Sequence, residues 1–172
     1  MFPLIQKRPR AVLDIGIGFG FYGAAVRQWC DSGARPWRVH LTGVEAYGAY
    51  RNPTWDLYDR VVVKPLQQFA YWQAKGLPWD AMIMCDVIEH FTAEDGAREL
   101  KRGIEALGSG GIFMVTTPAV FCEQGAVHGN EHEKHLSLWT TEMFQDLGFS
   151  IVRDGEPCRF KHRMIVAQYT KK

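Results

Sequence analysis

The sequence lacks a dominant charge. Its 20 lysines and arginines are matched by 19 aspartates and glutamates, a net charge of +1. That balance gives no electrostatic footprint for nucleic acid or for an anionic membrane surface. The small basic cluster Lys7, Arg8 and Arg10 reads as a solvated edge. Cysteine is scarce too: Cys30, Cys85, Cys122 and Cys158 are widely spaced and form no C-x-x-C pair. Such usage fits a reducing compartment rather than a disulfide framework, and Cys85, in an apolar run, reads as a small buried hydrophobe. No apolar run approaches a membrane span, and the opening MFPLIQKRPR has no long apolar core of a signal peptide. A cytoplasmic location is therefore expected. Repeats, low-complexity tracts and dividing linkers are also missing, so residues 1–172 are expected to form a single domain.

What is present is alternation. Short apolar runs at 11–15, 39–44 with Glu45 at the end, 60–63, 81–85 and 112–116 predict five strands. Between them, 21–30, 67–74 and 93–107 are compatible with helices. Glu94 and Asp95 stand where the dipole of the third helix favours acids, and Gly110-Gly111 is expected to end it. Thr140 is placed to cap a helix through Leu147 with Gly148 after it. Residues 149–153 and 164–169 then predict two closing strands, joined by a turn containing Gly155 and Pro157. Strand–helix alternation implies an α/β fold. The architecture expected is a three-layer, Rossmann-like, seven-stranded, mostly parallel sheet with a C-terminal antiparallel hairpin. Residues 119–138 show no clear period and hold most of the histidines, which marks them as a substrate-side loop or lid.

The most informative stretch is AVLDIGIGFGFYG at 11–23. Read from Gly18, it is G-x-G-x-x-G, ending at Gly23, a dinucleotide-binding turn. Read from Asp14, it is D-x-G-x-G-x-G, with Gly16, Gly18 and Gly20, a turn that holds S-adenosylmethionine. In either reading glycines let a ligand approach the backbone, and Glu45, ending strand two, is placed to accept hydrogen bonds from ribose hydroxyls. Asp14 decides against a pyrophosphate, which a neighbouring carboxylate repels, and for a cationic methionine moiety. The chain is also short for a dehydrogenase, and two consecutive closing strands are not how a dinucleotide fold continues.

The segments VLDIGIGFG at 12–20, LTGVEA at 41–46, WDAMIMCDVIEHF at 79–91 and GSGGIFMVTTP at 108–118 resemble the class I S-adenosylmethionine-dependent methyltransferases. The run at 130–149 is similar to an N-P-Y-E-x-H-x-S-x-W segment of small members of that class. Asn130, Glu133, His135, Ser137 and Trp139 match it, while Glu131 and His132 replace the proline and tyrosine. The resemblance implies that Asp14 faces the methionine ammonium, directly or through water. It implies that Gly16, Gly18 and Gly20 shape the loop, Glu45 takes the ribose, and Ala46 or Tyr47 flanks the adenine. Cys85, through its backbone, and Asp86 would line the methionine end, although Asp86 also suits a turn cap. Relatives carry an acid after strand three, where this chain has Lys64 and Pro65; adenine contact then falls to backbone groups or Gln67.

The expected activity is methyl transfer from S-adenosylmethionine to an oxygen or nitrogen of a small-molecule or side-chain acceptor. An Asn-Pro-aromatic motif after strand four is lacking, which argues against nucleic acid as the acceptor. A non-catalytic S-adenosylmethionine-binding module and an NAD-dependent oxidoreductase are the rival readings. The sulfonium activates the methyl by itself, so the protein's tasks are in-line placement and proton removal. His135 is the preferred base, with Glu133 or Ser137 as candidates to orient it and His90 second. His135 alternatively pins its loop, and Glu89 and His90 alternatively anchor the helix that follows them. Cys122, His128, His132 and His135 have metal-ligand chemistry, but H-E-x-x-H is absent and Pro118 and glycines argue against a helix there. No metal site is assigned from the sequence. Trp29, Trp72 and Trp79 read as core or edge packing, and Trp139 carries more weight because it follows the loop.

Overall fold

The computed structural model describes residues 8–32, 34–71, 78–157 and 163–172. The apolar runs become strands β1 (Ala11–Ile15), β2 (His40–Glu45), β3 (Arg60–Val63), β4 (Trp79–Cys85), β5 (Leu107–Pro118), β6 (Ser150–Pro157) and β7 (Arg163–Thr170). They form one seven-stranded sheet in the order β3-β2-β1-β4-β5-β7-β6. The first five strands pair in parallel, while β7 runs antiparallel to both β5 and β6.

The two faces of the sheet can be read directly from the strand period of two. Leu13, Ile15, Met82, Met84, Phe113 and Val115 fall in one buried cluster, together with Leu100 and Ala106 of α2 (Ala93–Ala106) and Phe144 of α3 (Thr141–Asp146). Val12, Ala81, Ile83, Ile112 and Met114 fall in the other, with Val26 of α1 (Phe21–Cys30). Helices therefore cover both faces, giving the three expected layers. Each of the two later helices starts on a threonine. Thr92 accepts a hydrogen bond from the Asp95 N–H and Thr140 from the Met143 N–H, satisfying donors that a helix start leaves free.

Four expectations needed correction. The helix expected at 67–74 is a single 3₁₀ turn, Leu66–Gln68, after which Phe69 is extended; the end of that expectation, with Trp72, lies outside the described residues, as does Cys158. The helix α2 ends at Ala106, within a residue of the expected 93–107, and Gly110-Gly111 are not what ends it. Leu107 is extended and buried, and pairs with Trp79 of β4, so strand formation begins three residues before the glycines. Gly155 and Pro157 belong to β6 rather than to a turn, in a stretch where the pairing with β7 slips register. Trp139 is core: it is 1% exposed and stacks on Phe144 at 5.1 Å. Among the described residues, no helix is long and apolar enough to cross a membrane.

Candidate functional site

The carboxyl ends of β1, β2 and β4 open onto one cavity of about 180 Å³. Open α/β sheets bind ligands at this edge, because loops there diverge to opposite faces. The order β2-β1-β4 places the reversal of connection beside β1, directly under the glycine loop.

The loop is held by hydrogen bonds from its neighbours. Gly16 and Gly18 have φ of +69° and +49°, in the left-handed region that favours glycine. Glu45 is buried, and both its carboxylate oxygens accept backbone N–H groups, one from Gly18 at 2.8 Å and one from Tyr47 at 2.9 Å. The Trp55 indole N–H donates to the Gly18 carbonyl at 2.8 Å. A carboxylate has about four lone-pair positions, so Glu45 keeps acceptor capacity toward the cavity it lines. A Cβ built on Gly18 meets nothing within 4 Å, whereas one on Gly23 would come within 2.3 Å of the Tyr58 ring. The third glycine of the dinucleotide parse is thus explained by packing alone.

Gly16, Gly18, Glu45, Ala46 and Asp86 line the cavity together, and Lys64 and Gln67 are there as well. Asp14, Gly20, Cys85 and His135 are not among its lining residues. Asp14 points to the opposite face of the sheet, 1% exposed, and accepts a hydrogen bond of 2.6 Å from the Tyr58 hydroxyl. Burial raises its pKa to about 7, with the Glu45 charge adding to the rise and the Tyr58 hydrogen bond opposing it. The Cys85 thiol is pushed up to about 12 by burial, far from a reactive thiolate. Asp86 has φ of +54° and is fixed by two bonds to Thr116: its N–H donates to the carbonyl at 3.0 Å, and its Oδ1 accepts the hydroxyl at 3.1 Å.

The 119–138 loop folds over this edge and is fastened to both sides of the cleft. On the β2 side, Tyr47 donates to the His128 carbonyl at 3.2 Å and Tyr50 donates to Glu133 at 2.8 Å. On the β4 side, the N–H groups of Leu136 and Ser137 donate to the Glu89 carbonyl at 2.8 and 3.2 Å. Glu89 therefore anchors the loop, not the helix α2. Its side chain is 4% exposed and accepts the Thr117 hydroxyl at 3.1 Å; burial raises its pKa to about 7, with the charges of Asp86 and Glu133 contributing.

His90 and His135 meet, ring centroids 5.0 Å apart. Neither Glu133 nor Ser137 orients His135. The Cys122 carbonyl does, 2.6 Å from Nδ1. A carbonyl only accepts, so Nδ1 carries a proton, and in the neutral ring the lone pair is on Nε2. Burial holds His90 below the usual histidine pKa. His128 is exposed in a left-handed turn, and His132 lies in the cavity wall. Residues that sequence reasoning missed are Tyr58, which carries no local signal, and Asn130 as a buried cap. Asn130 accepts the His132 N–H at 3.0 Å, and its match to the N-x-x-E-x-H pattern was the available signal.

The model of a family described as a methyltransferase domain matches residues 1–154. No curated protein matches the sequence. Among solved structures, the chain is similar to N-methyltransferase NodS from Bradyrhizobium japonicum, with a TM-score of 0.67 at 12% identity, over 99% of this chain and 93% of that one. It is similar to a Burkholderia thailandensis 1,6-didemethyltoxoflavin-N1-methyltransferase solved with S-adenosylhomocysteine, with a TM-score of 0.68 at 18% identity, over 97% of this chain and 73% of that one. An O-methyltransferase family protein from the same organism gives a TM-score of 0.61 at 15% identity over 97% of this chain, which spans 53% of that protein's length.

Proposed function

This chain belongs to the methyltransferase domain family, and from that premise we propose that it transfers a methyl group from S-adenosylmethionine to an oxygen or nitrogen of a small-molecule or side-chain acceptor. The observation that carries the reading is the Glu45 arrangement. A buried carboxylate at the end of β2 braces the glycine loop through the Gly18 N–H and still faces a cavity into which Gly18 presents no side chain. That is the geometry a ribose diol needs: an acceptor fixed by the protein and backbone that the ligand can approach closely.

In this reading Gly16, Gly18, Glu45 and Ala46 hold the adenosine, with Gln67 and backbone groups near Lys64 on the adenine side. Asp86 marks the methionine end. Asp14 lies beneath the loop as the partner of Tyr58 and does not line the cavity. The acceptor lies between Asp86 and the loop, where His90 lines the cavity and His135 stands beside it; in this reading His135 takes the acceptor's proton, with His90 as the second candidate. The sulfonium needs no further activation, so rate enhancement comes from placing the nucleophile in line with the methyl, worth several kcal/mol. Residues 1–172 act as one catalytic domain with 119–138 as its cover.

Calorimetric titration with S-adenosylmethionine, S-adenosylhomocysteine and NAD, followed by a methyl-transfer screen, tests the reading. Binding of the first two with no response to NAD is expected. Tight binding with no turnover on any acceptor would favour a non-catalytic module, and preference for NAD would overturn the assignment.

A further inference from the structure

Glu89, His90 and His135 each offer one ligand atom, and these atoms all lie within 4.8 Å of one another. Glu89 and His90 are adjacent on the turn that follows β4, while His135 arrives from the loop. The way each is held distinguishes the group from mere crowding. The His135 Nδ1 is engaged by the Cys122 carbonyl at 2.6 Å, and the His90 Nδ1 faces the Lys134 carbonyl at 3.3 Å. The Thr117 hydroxyl donates to Oε2 of Glu89, and a carboxylate with about four lone-pair positions keeps capacity for an ion. A carbonyl on the rear nitrogen of an imidazole and a hydroxyl on a carboxylate are the outer partners that metal ligands carry.

The charges around the trio point the same way. Glu89 is 4% exposed, and the charged groups facing it are the carboxylates of Asp86 and Glu133. Asp86 in turn faces His90 and His135. Three acids thus converge on two imidazoles, and among the described residues no lysine or arginine pairs with Glu89. A buried carboxylate among others is costly without a cation.

We propose that Glu89, His90 and His135, with Asp86 at the rim, bind a divalent ion of the first transition row, and that the acceptor is a hydroxyl compound whose oxygen completes its coordination. Mixed imidazole and carboxylate ligands suit Mn²⁺, Fe²⁺, Co²⁺ or Zn²⁺ better than the all-oxygen ions. Ligands at about 2.1 Å from one tetrahedral ion lie about 3.4 Å apart, so loading draws the trio together by up to about 1.4 Å. The acceptor half of this inference rests on the methyl-transfer reading; the ion-binding half does not. With the ion in place, the acceptor O–H bond breaks and its proton passes to solvent, because the bound cation lowers the hydroxyl pKa. The oxygen lone pair then forms the O–CH₃ bond as the S–CH₃ bond breaks, and that electron pair returns to sulfur as a neutral thioether. The His135 lone pair serves either as base in the ion-free protein or as ligand in the loaded one.

The test is titration of the full chain, stripped by chelator, with Mn²⁺, Co²⁺ and Zn²⁺ alone. One ion per chain is expected, with visible absorption bands of imidazole-bound Co²⁺. His135→Ala and the shape-conserving Glu89→Gln should each weaken binding by at least about tenfold, while His128→Ala should not. Circular dichroism confirms that each variant is folded. The absence of stoichiometric uptake, or uptake unchanged in both His135→Ala and Glu89→Gln, would overturn the ion site. Chelator should lower transfer to hydroxyl acceptors by at least about tenfold, to what His135 sustains as base alone, without changing S-adenosylmethionine affinity; transfer undiminished by chelator would overturn the acceptor half. Loss of the methyl-transfer reading itself would show as absent cofactor binding, with ion uptake intact.

Discussion

Replacing Asp14 with asparagine should flatten the pH dependence of stability, and the size of the effect follows from where Asp14 lies. Its carboxyl is 1% exposed beneath the glycine loop, within a hydrogen bond of Tyr58 and near the Glu45 charge. Burial and that charge move its pKa from an ordinary 3.8 to about 7. Between these values the folded chain holds a proton that the unfolded chain has released. Stability therefore falls as pH rises from about 4 to about 7, and levels off above. At about 1.4 kcal/mol per unit the whole gap is worth up to about 4 kcal/mol, of which about 2–3 kcal/mol falls between pH 5 and pH 8. Asparagine keeps the acceptor for Tyr58 and cannot ionise. Urea unfolding of wild type and Asp14→Asn across pH 5–8 should show the wild type losing about 2–3 kcal/mol more than the variant. Glu89, also raised to about 7, contributes equally to both proteins and cancels. Unfolding free energies that run parallel within about 0.5 kcal/mol would refute the reasoning, because Asp14 would then be ionised in the fold at no cost.

Glu45→Ala should weaken S-adenosylmethionine binding by on the order of 2 kcal/mol in calorimetry, since it removes the ribose acceptor and frees the Gly18 and Tyr47 N–H groups; an unchanged dissociation constant in a folded variant would sink the assignment. Gly18→Val should be worse, because the residue sits at φ +49° and its side chain would project into the cavity; normal binding would remove the loop from the cofactor site. His135→Gln should lower methyl transfer at saturating donor by about 10²-fold or more with donor affinity nearly unchanged. A loss confined to donor affinity would make His135 a loop-pinning residue only.

The strands and the glycine loop were legible in the sequence because their causes are local. A β-branched or apolar run buried on both faces, followed by glycines, leaves the chain few alternatives at 11–20. The Thr140 cap and the loop at 119–138 were legible for the same reason. What escaped depends on distant partners. Asp14 falls on the Val12 face of β1, where its partner is Tyr58, 44 positions away, and nothing near Tyr58 announces it. Leu107 leaves the helix early because its backbone finds Trp79 of β4, a tertiary choice that outweighs helix propensity. His135 is oriented by a main-chain carbonyl, and every residue has one, so no side-chain pattern reveals which carbonyl acts.

Glu133 bridges the two sides of the cleft. Its Oε1 accepts the Tyr50 hydroxyl at 2.8 Å on the β2 side, while its Oε2 lies 3.9 Å from Nε2 of His90 on the β4 side. Asn130 Nδ2 reaches Oε1 at 3.4 Å, and Gln124 donates to the Glu133 carbonyl at 2.7 Å. One loop carboxylate therefore touches the turn that follows Glu45 and the turn that bears Glu89 and His90. Removing that carboxylate would release both attachments at once, because the Tyr50 hydroxyl and the His90 ring would lose the same partner.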